Sequence, residues 1–188
     1  MTTTGWIVLG AAALAVVWLI GNYNRLVNLR QSIKESWSDI DVELKRRHDL
    51  IPNLVQTVQG YMAHERGVLE RVTQLRDRAA RDTENRKALG EAETHLMRAV
   101  KDLFALVENY PDLKADRHFL ALQKELAVTE DRIAAARRLY NGNVRGYVVL
   151  RQSFPVNLIA SLFGFTEGVD YFELASDAER VVPRVAVT

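Results

Sequence analysis

Residues 23–65 read YNRLVNLRQSIKESWSDIDVELKRRHDLIPNLVQTVQGYMAHE, and their periodicity decides the fold. Alternate steps of four and three from Leu26 pick out Leu26, Arg30, Ile33, Trp37, Ile40, Leu44, Arg47, Ile51, Leu54, Val58, Tyr61 and Glu65. The series continues through Val68, Val72 and Leu75, and charge interrupts it only at Arg30, Arg47 and Glu65. An apolar residue every 3.5 positions marks the buried stripe of a long helix packed on other helices.

Pro52 lies inside that stripe. An internal proline removes one helical hydrogen bond and clashes with the preceding turn, costing about 3 kcal/mol or more. The heptad phase nevertheless runs unbroken through Leu44, Ile51 and Val58, which predicts a kinked but continuous helix. The other reading breaks the chain near Leu50 into two antiparallel helices, with Asp49 as an N-cap. Beyond Pro52 the stripe widens to include Val55, Met62 and Leu69, where the equivalent earlier positions hold Lys34, Asp41 and His48. More helices are expected to pack on the distal half than on the proximal half.

On the N-terminal side, residues 5–21, GWIVLGAAALAVVWLIG, contain no charge. At about 1.5 Å per residue this is near the lower limit for crossing a hydrocarbon core of about 30 Å. Trp6 and Trp18 stand near its ends, where amphipathic rings favour headgroup depth. A cleaved signal peptide is the rival reading. It would need a basic leading segment, absent from residues 1–4, and a small-residue pair after the apolar run, whereas Ala13 and Ala15 lie inside it. The expectation is an uncleaved anchor over 1–23. Arg25, Arg30 and Lys34 follow the span, so the rule that basic flanks stay inside puts the remainder in the cytoplasm.

Toward the C-terminus, residues 78–85 read as a connector capped by Asp82 or Thr83. A second helix is predicted over 86–109 with Leu89, Ala92, Leu96, Ala99, Leu103, Leu106 and Tyr110 on its seam, ended by Pro111. A third starts near Asp116 and carries Phe119, Leu122, Leu126, Thr129, Ile133, Ala136, Tyr140, Asn143, Tyr147 and Leu150. Gly142 and Gly146 inside it suggest close packing or bending. After Phe154-Pro155 the apolar stretch to Phe165 is either a short capping helix ended by Gly164 or an exposed docking patch. Residues 175–188 are weakly patterned and are expected to form a tail, extended or disordered.

The fold class is therefore all-α: a transmembrane helix over 1–23, then an elongated antiparallel helical bundle over 24–174. Composition agrees, with 48% hydrophobic and 26% charged residues in 188. The formal charge of +1 comes from 25 basic and 24 acidic residues interleaved along the helices, which argues against nucleic acid as a partner. No cysteine is present, excluding disulfides, thiolate catalysis and cysteine-ligated metal.

Catalytic and metal motifs do not emerge. His64-Glu65 opens like HExxH, but Val68 stands where the second ligand belongs. Glu-x-x-His pairs of di-metal bundles are missing, since Lys45, Tyr61, Ala92 and Ala115 lie three residues before the four histidines. The histidines are expected at surface or packing positions, and no cofactor is implied. Arg47 and Glu65 sit on the seam itself. They are expected to reach the bundle edge with their long side chains; the alternative is a buried ion pair with another helix. Candidate structural or interaction residues are Trp37, Asp41, Arg47, His48, Pro52, Asn53, Glu65, Tyr140, Asn141, Tyr147, Phe154, Pro155, Phe163, Gly164 and Phe165.

Three segments together carry a resemblance: residues 23–65 quoted above, 108–155 (ENYPDLKADRHFLALQKELAVTEDRIAAARRLYNGNVRGYVVLRQSFP) and 164–173 (GFTEGVDYFE). The chain resembles the LemA family over most of Tyr23 to Glu173. The resemblance implies a bacterial membrane protein with an up-and-down bundle usually drawn with four helices, which adds weight to a break at Pro52. It implies no established activity; membrane-bound partners are the usual suggestion. The functional expectation is a non-enzymatic, membrane-anchored interaction or scaffold module whose partners are the lipid bilayer and a membrane-associated protein. A homo-oligomer is also expected as an option, through a self-assembling protein that shapes the membrane; a membrane-linked enzyme or metal protein is the third reading.

Overall fold

The computed structural model describes residues 3–62, 64–81 and 85–174, and these form helices and turns without a strand. The helices are α1 (Thr3–Gln59), α2 (Arg66–Arg81), α3 (Arg86–Val107), α4 (Pro111–Lys114), α5 (Arg117–Gln152) and α6 (Val156–Leu162). The expected tail 175–188 and the expected Asp82 or Thr83 cap lie outside the described residues. Within them Asn85 caps α3, its side-chain oxygen accepting from the backbone N–H groups of Lys87 and Ala88.

α1 continues through Pro52, as the unbroken heptad phase predicts, and its neighbours explain why the proline is tolerated. Ile51, Leu54 and Val58 flank it and are buried. Burying each contributes about 1.5–3 kcal/mol, more together than the roughly 3 kcal/mol an internal proline costs. The chain does break, but later than the alternative reading placed it. Gly60 ends α1, a position where glycine costs about 1 kcal/mol in a continuing helix. The N–H groups of Tyr61 and Met62 both donate to the Val58 carbonyl, and Met62 turns into the core. The seam drawn through Tyr61 and Glu65 to Leu75 as one helix is thus two helices, because α2 also needs an apolar stripe. The connector expected from residue 78 is still helical to Arg81.

The chain divides into two compact units. One comprises Asp39–Arg137 with Tyr171–Thr188. Its core gathers Ile51, Leu54 and Val58 of α1, Leu69, Val72 and Ala79 of α2, Leu96, Val100, Leu103 and Val107 of α3, and Phe119 and Leu126 of α5. Leu113 of α4 joins them, and the rings of Phe104 and Phe119 meet edge-on at 5.9 Å. Gly90 of α3 lets the segment at 172–173 lie directly on the helix. A β-carbon there would stand 2.4 Å from the Glu173 carbonyl oxygen, and Phe172 is buried beside it.

The other unit comprises Met1–Ser38 with Arg138–Asp170. Leu26 and Ile33 of α1, Tyr140, Val144, Tyr147 and Leu150 of α5, and Val156, Ile159 and Ala160 of α6 are among its buried hydrophobic residues, with Phe165. Trp37 meets Tyr140 edge-on at 5.4 Å, and the Tyr140 hydroxyl donates to the Asp170 carbonyl at 2.8 Å. Of the two readings of the α5 glycines, close packing or bending, close packing is not met. A β-carbon on Gly142 would meet no described atom within 4 Å, and one on Gly146 only a Leu29 methyl at 3.6 Å.

Candidate functional site

Along α1, residues 26, 33, 40, 47 and 54 share one heptad position, and four of them are Leu or Ile. The fifth is Arg47, fully buried. It does not reach an edge, so the expectation that its side chain escapes into water is wrong. A guanidinium at this depth requires charged partners, and helices α3 and α5 supply them. One terminal nitrogen donates to Glu93, itself fully buried, and the other to Glu130, which is partly exposed. Arg47 Nε is buried and finds no acceptor among the described residues.

His48 completes the group. Its Nε2 lies 2.7 Å from the second carboxylate oxygen of Glu93. An ionised carboxylate only accepts, so the contact places the imidazole proton on Nε2. Glu93 is thus gripped from both sides by adjacent residues of α1. His48 is thus largely buried and hydrogen-bonded to a buried carboxylate, more than the plain surface or packing position expected. Two carboxylates against one guanidinium leave one negative charge, which the imidazole N–H partly offsets.

Next to this group lies a cleft of about 330 Å³ lined by Asp41, Leu44, Lys45, His48, Asp49, Arg76, Ala79, Ala80 and Leu89. Asp41 and His48 are thereby brought to one surface, one turn either side of Leu44–Lys45. Arg76 there pairs with Asp77 at 2.6 Å. Among the described residues no three His, Asp or Glu side chains are arranged to hold a metal ion. What the buried group can do is mechanical. It ties α1, α3 and α5 at one level, and sliding any of them by a turn would leave a charge buried and unpaired.

The other candidates are dispersed. Pro52 and Asn53 are exposed on α1, the Asn53 carbonyl accepting from the Thr57 hydroxyl at 2.8 Å. Glu65 lies in the turn between α1 and α2, not on a helical seam. Trp37, Tyr140 and Tyr147 pack in the unit that includes the N-terminal helix, with Asn141 half-buried on α5. Phe154, Pro155, Phe163, Gly164 and Phe165 surround α6 in the same unit, and the Phe154–Pro155 bond is cis.

Glu93 and Glu130 were missed by sequence reasoning. The signal for Glu93 was present, because Glu93, Val100 and Val107 repeat at seven residues and all three are buried; a seam drawn through Ala92 and Ala99 passes beside it. Glu130 has no such mark. Electrostatics also shape the α4–α5 turn. Asp116 accepts from the Phe119 backbone N–H at 2.9 Å, which holds its carboxyl below the usual value, assisted by a Tyr61 hydroxyl donating at 3.3 Å. The negative charge of Asp116 in turn raises the Tyr61 hydroxyl above its usual value.

An all-helical protein with a long apolar N-terminal helix and a charged group buried among three helices is the class defined so far. The LemA family model matches residues 36–186, and the chain belongs to that family. Protein LemA of Metamycoplasma hominis is 27% identical over 162 residues, covering 86% of this chain and 73% of the relative. Magnetosome protein MamQ of Magnetospirillum gryphiswaldense is 24% identical over 197 residues, covering 90% and 72%. Magnetosome protein MamQ 2 of Paramagnetospirillum magneticum matches to the same extent.

Proposed function

We propose that this protein is a single-pass, non-enzymatic membrane module that presents its helical bundle to a membrane-associated protein. The observation carrying this reading is the N-terminal part of α1, long and apolar enough to cross a membrane with none of that window buried. A helix that is apolar all round belongs in a protein core or in lipid, and no described segment covers this one. Basic residues Arg25, Arg30 and Lys34 follow the span, which favours a cytoplasmic bundle at the bacterial inner membrane. The names of the relatives specify no reaction, and the chemistry of the buried group is that of a structural tie.

Photocrosslinking in living cells tests the proposal. Photoreactive residues at exposed Glu91, His95 and Arg98 on α3, and at Lys124 and Asp131 on α5, are expected to capture the same membrane protein from neighbouring positions. Capture of a second copy alone would replace this reading by self-assembly. Capture of nothing from any position, at normal expression, would overturn it.

A further inference from the structure

Between Arg151 and Glu167 the chain carries no charged side chain. α6 lies in this stretch and turns Val156, Ile159 and Ala160 inward, with Phe165 buried beyond it. A short helix covering a core normally shows water a polar face. Here Phe154 is 82% exposed, Leu158 60%, Leu162 78% and Phe163 49%. Leu158 and Leu162 are four apart and share one face of the helix, and Phe154 is exposed just ahead of its first turn.

The position of this face indicates what covers it. The ring of Tyr23 meets Phe163 edge-on at 5.1 Å and Phe165 at 5.7 Å. Tyr23 stands two residues before Arg25, the first charged residue of α1. The uncharged run of α1, residues 3–24, spans about 33 Å at about 1.5 Å per residue, close to a hydrocarbon core of about 30 Å. The boundary of a bilayer crossed by it falls at about the level of Tyr23, where tyrosine rings favour the interface, and α6 is held at that level. The face is also fixed in place. Gly164 takes a positive φ of 77°, letting the Phe165 N–H close back on the Ala160 carbonyl at 2.8 Å. Arg151 donates to the Thr166 and Glu167 carbonyls at 3.1 and 2.6 Å, and Arg30 pairs with the Glu167 carboxylate at 3.1 Å.

We propose that α6 is an interfacial helix which inserts Phe154, Leu158, Leu162 and Phe163 into the lipid at the headgroup–acyl boundary, as a second membrane contact beside the span. This rests on the membrane-anchor reading above. Apolar side chains gain by leaving water in proportion to their buried area, and no charge in the stretch has to be desolvated on entry. Two points of attachment would also fix how the unit of Met1–Ser38 and Arg138–Asp170 stands on the membrane, which a single span leaves free to rotate.

The chain has no native cysteine, so single-cysteine variants report one site each. The full chain would be reconstituted in vesicles of phosphatidylcholine and phosphatidylglycerol with an environment-sensitive fluorophore on Leu158→Cys, Leu162→Cys, Leu14→Cys or Glu35→Cys. Probes on α6 are expected to blue-shift and to be quenched by nitroxides placed near the lipid headgroup. The probe at residue 14 should respond to nitroxides at the acyl-chain end, and that at residue 35 to an aqueous quencher alone. If the α6 probes respond only from water while residue 14 lies in lipid, the docking is overturned and the anchor stands. If residue 14 also responds from water, the anchor fails and the docking with it. Probes on α6 shielded from both water and lipid would show a protein occupant, a second copy included, and would equally overturn the proposal.

Discussion

The two units solve the same problem, a polar residue on the buried side of α1, with opposite chemistry. In the unit containing the N-terminal helix, Ser36 is buried, its hydroxyl donating to the Ser32 carbonyl at 2.7 Å and accepting from the Asn143 amide at 3.2 Å. Every group around Ser36 is neutral and most of the bonding is local. In the other unit Arg47 is held by carboxylates from α3 and α5, and one of them is held again by His48. The difference lies in what remains when one partner is removed. A neutral hydroxyl keeps a local acceptor, whereas a carboxylate that loses its guanidinium keeps only the His48 imidazole and no full countercharge.

Substituting Arg47 should therefore have the largest effect. Arg47→Leu leaves Glu93 buried without its guanidinium, and a loss of about 3–5 kcal/mol is expected for such an uncompensated charge. Denaturant unfolding of the full chain in detergent, followed by far-ultraviolet circular dichroism, measures it. Adding Glu93→Leu should recover most of the loss, since well-packed apolar side chains replace buried ion pairs with little net cost. A single variant as stable as the parent, or a double variant no better than the single, would show that the group carries no such strain. On the neutral side, Asn143→Leu should cost only about 0.5–1.5 kcal/mol, the net worth of an ordinary hydrogen bond. If the same unfolding experiment gave equal losses for Asn143→Leu and Arg47→Leu, the contrast between the units would collapse.

The same contrast explains what the sequence could show. Heptad spacing identified the buried faces of α1 and α5 because Leu26, Ile33, Ile40 and Leu54, and Phe119, Leu126, Ile133, Tyr140 and Tyr147, repeat at seven residues and are buried. It also put Arg47 on the seam. It could not say that Arg47 stays inside, because that depends on carboxylates 46 and 83 residues away in sequence. The break at Gly60 was hidden for a related reason. Apolar spacing reports which residues face a core, and the phase of α1 happens to continue into α2 across the turn. Gly164 was legible as a helix stop because its role is local, a positive φ that other residues rarely adopt. Local chemistry was readable and long-range pairing was not.

The smallest effect tests whether a local electrostatic feature behaves as its geometry demands. Asp116 caps α5 through the Phe119 N–H, and Tyr61 adds a second, longer hydrogen bond. Its folded pKa is lowered, so its contribution to stability is fully present above the unfolded aspartate value of about 3.9 and is lost as pH falls through the folded value. Tyr61 has the opposite sign: its pKa is raised, and its contribution is present below the unfolded tyrosine value of about 10 and is lost as pH rises through the folded one. Tyr61 is exposed and Asp116 partly so, so the change in unfolding stability should be slight, and NMR titration of the Asp116 carboxyl carbon is the better measurement. In Tyr61→Phe the carboxyl should titrate closer to the ordinary aspartate value yet remain below it, because the Phe119 N–H is the larger cause and is still there. An identical titration in both proteins would mean that the tyrosine contact is not made in solution. An ordinary aspartate value in the parent protein would mean that the cap is absent, and that α5 begins without the local bond its first turn implies.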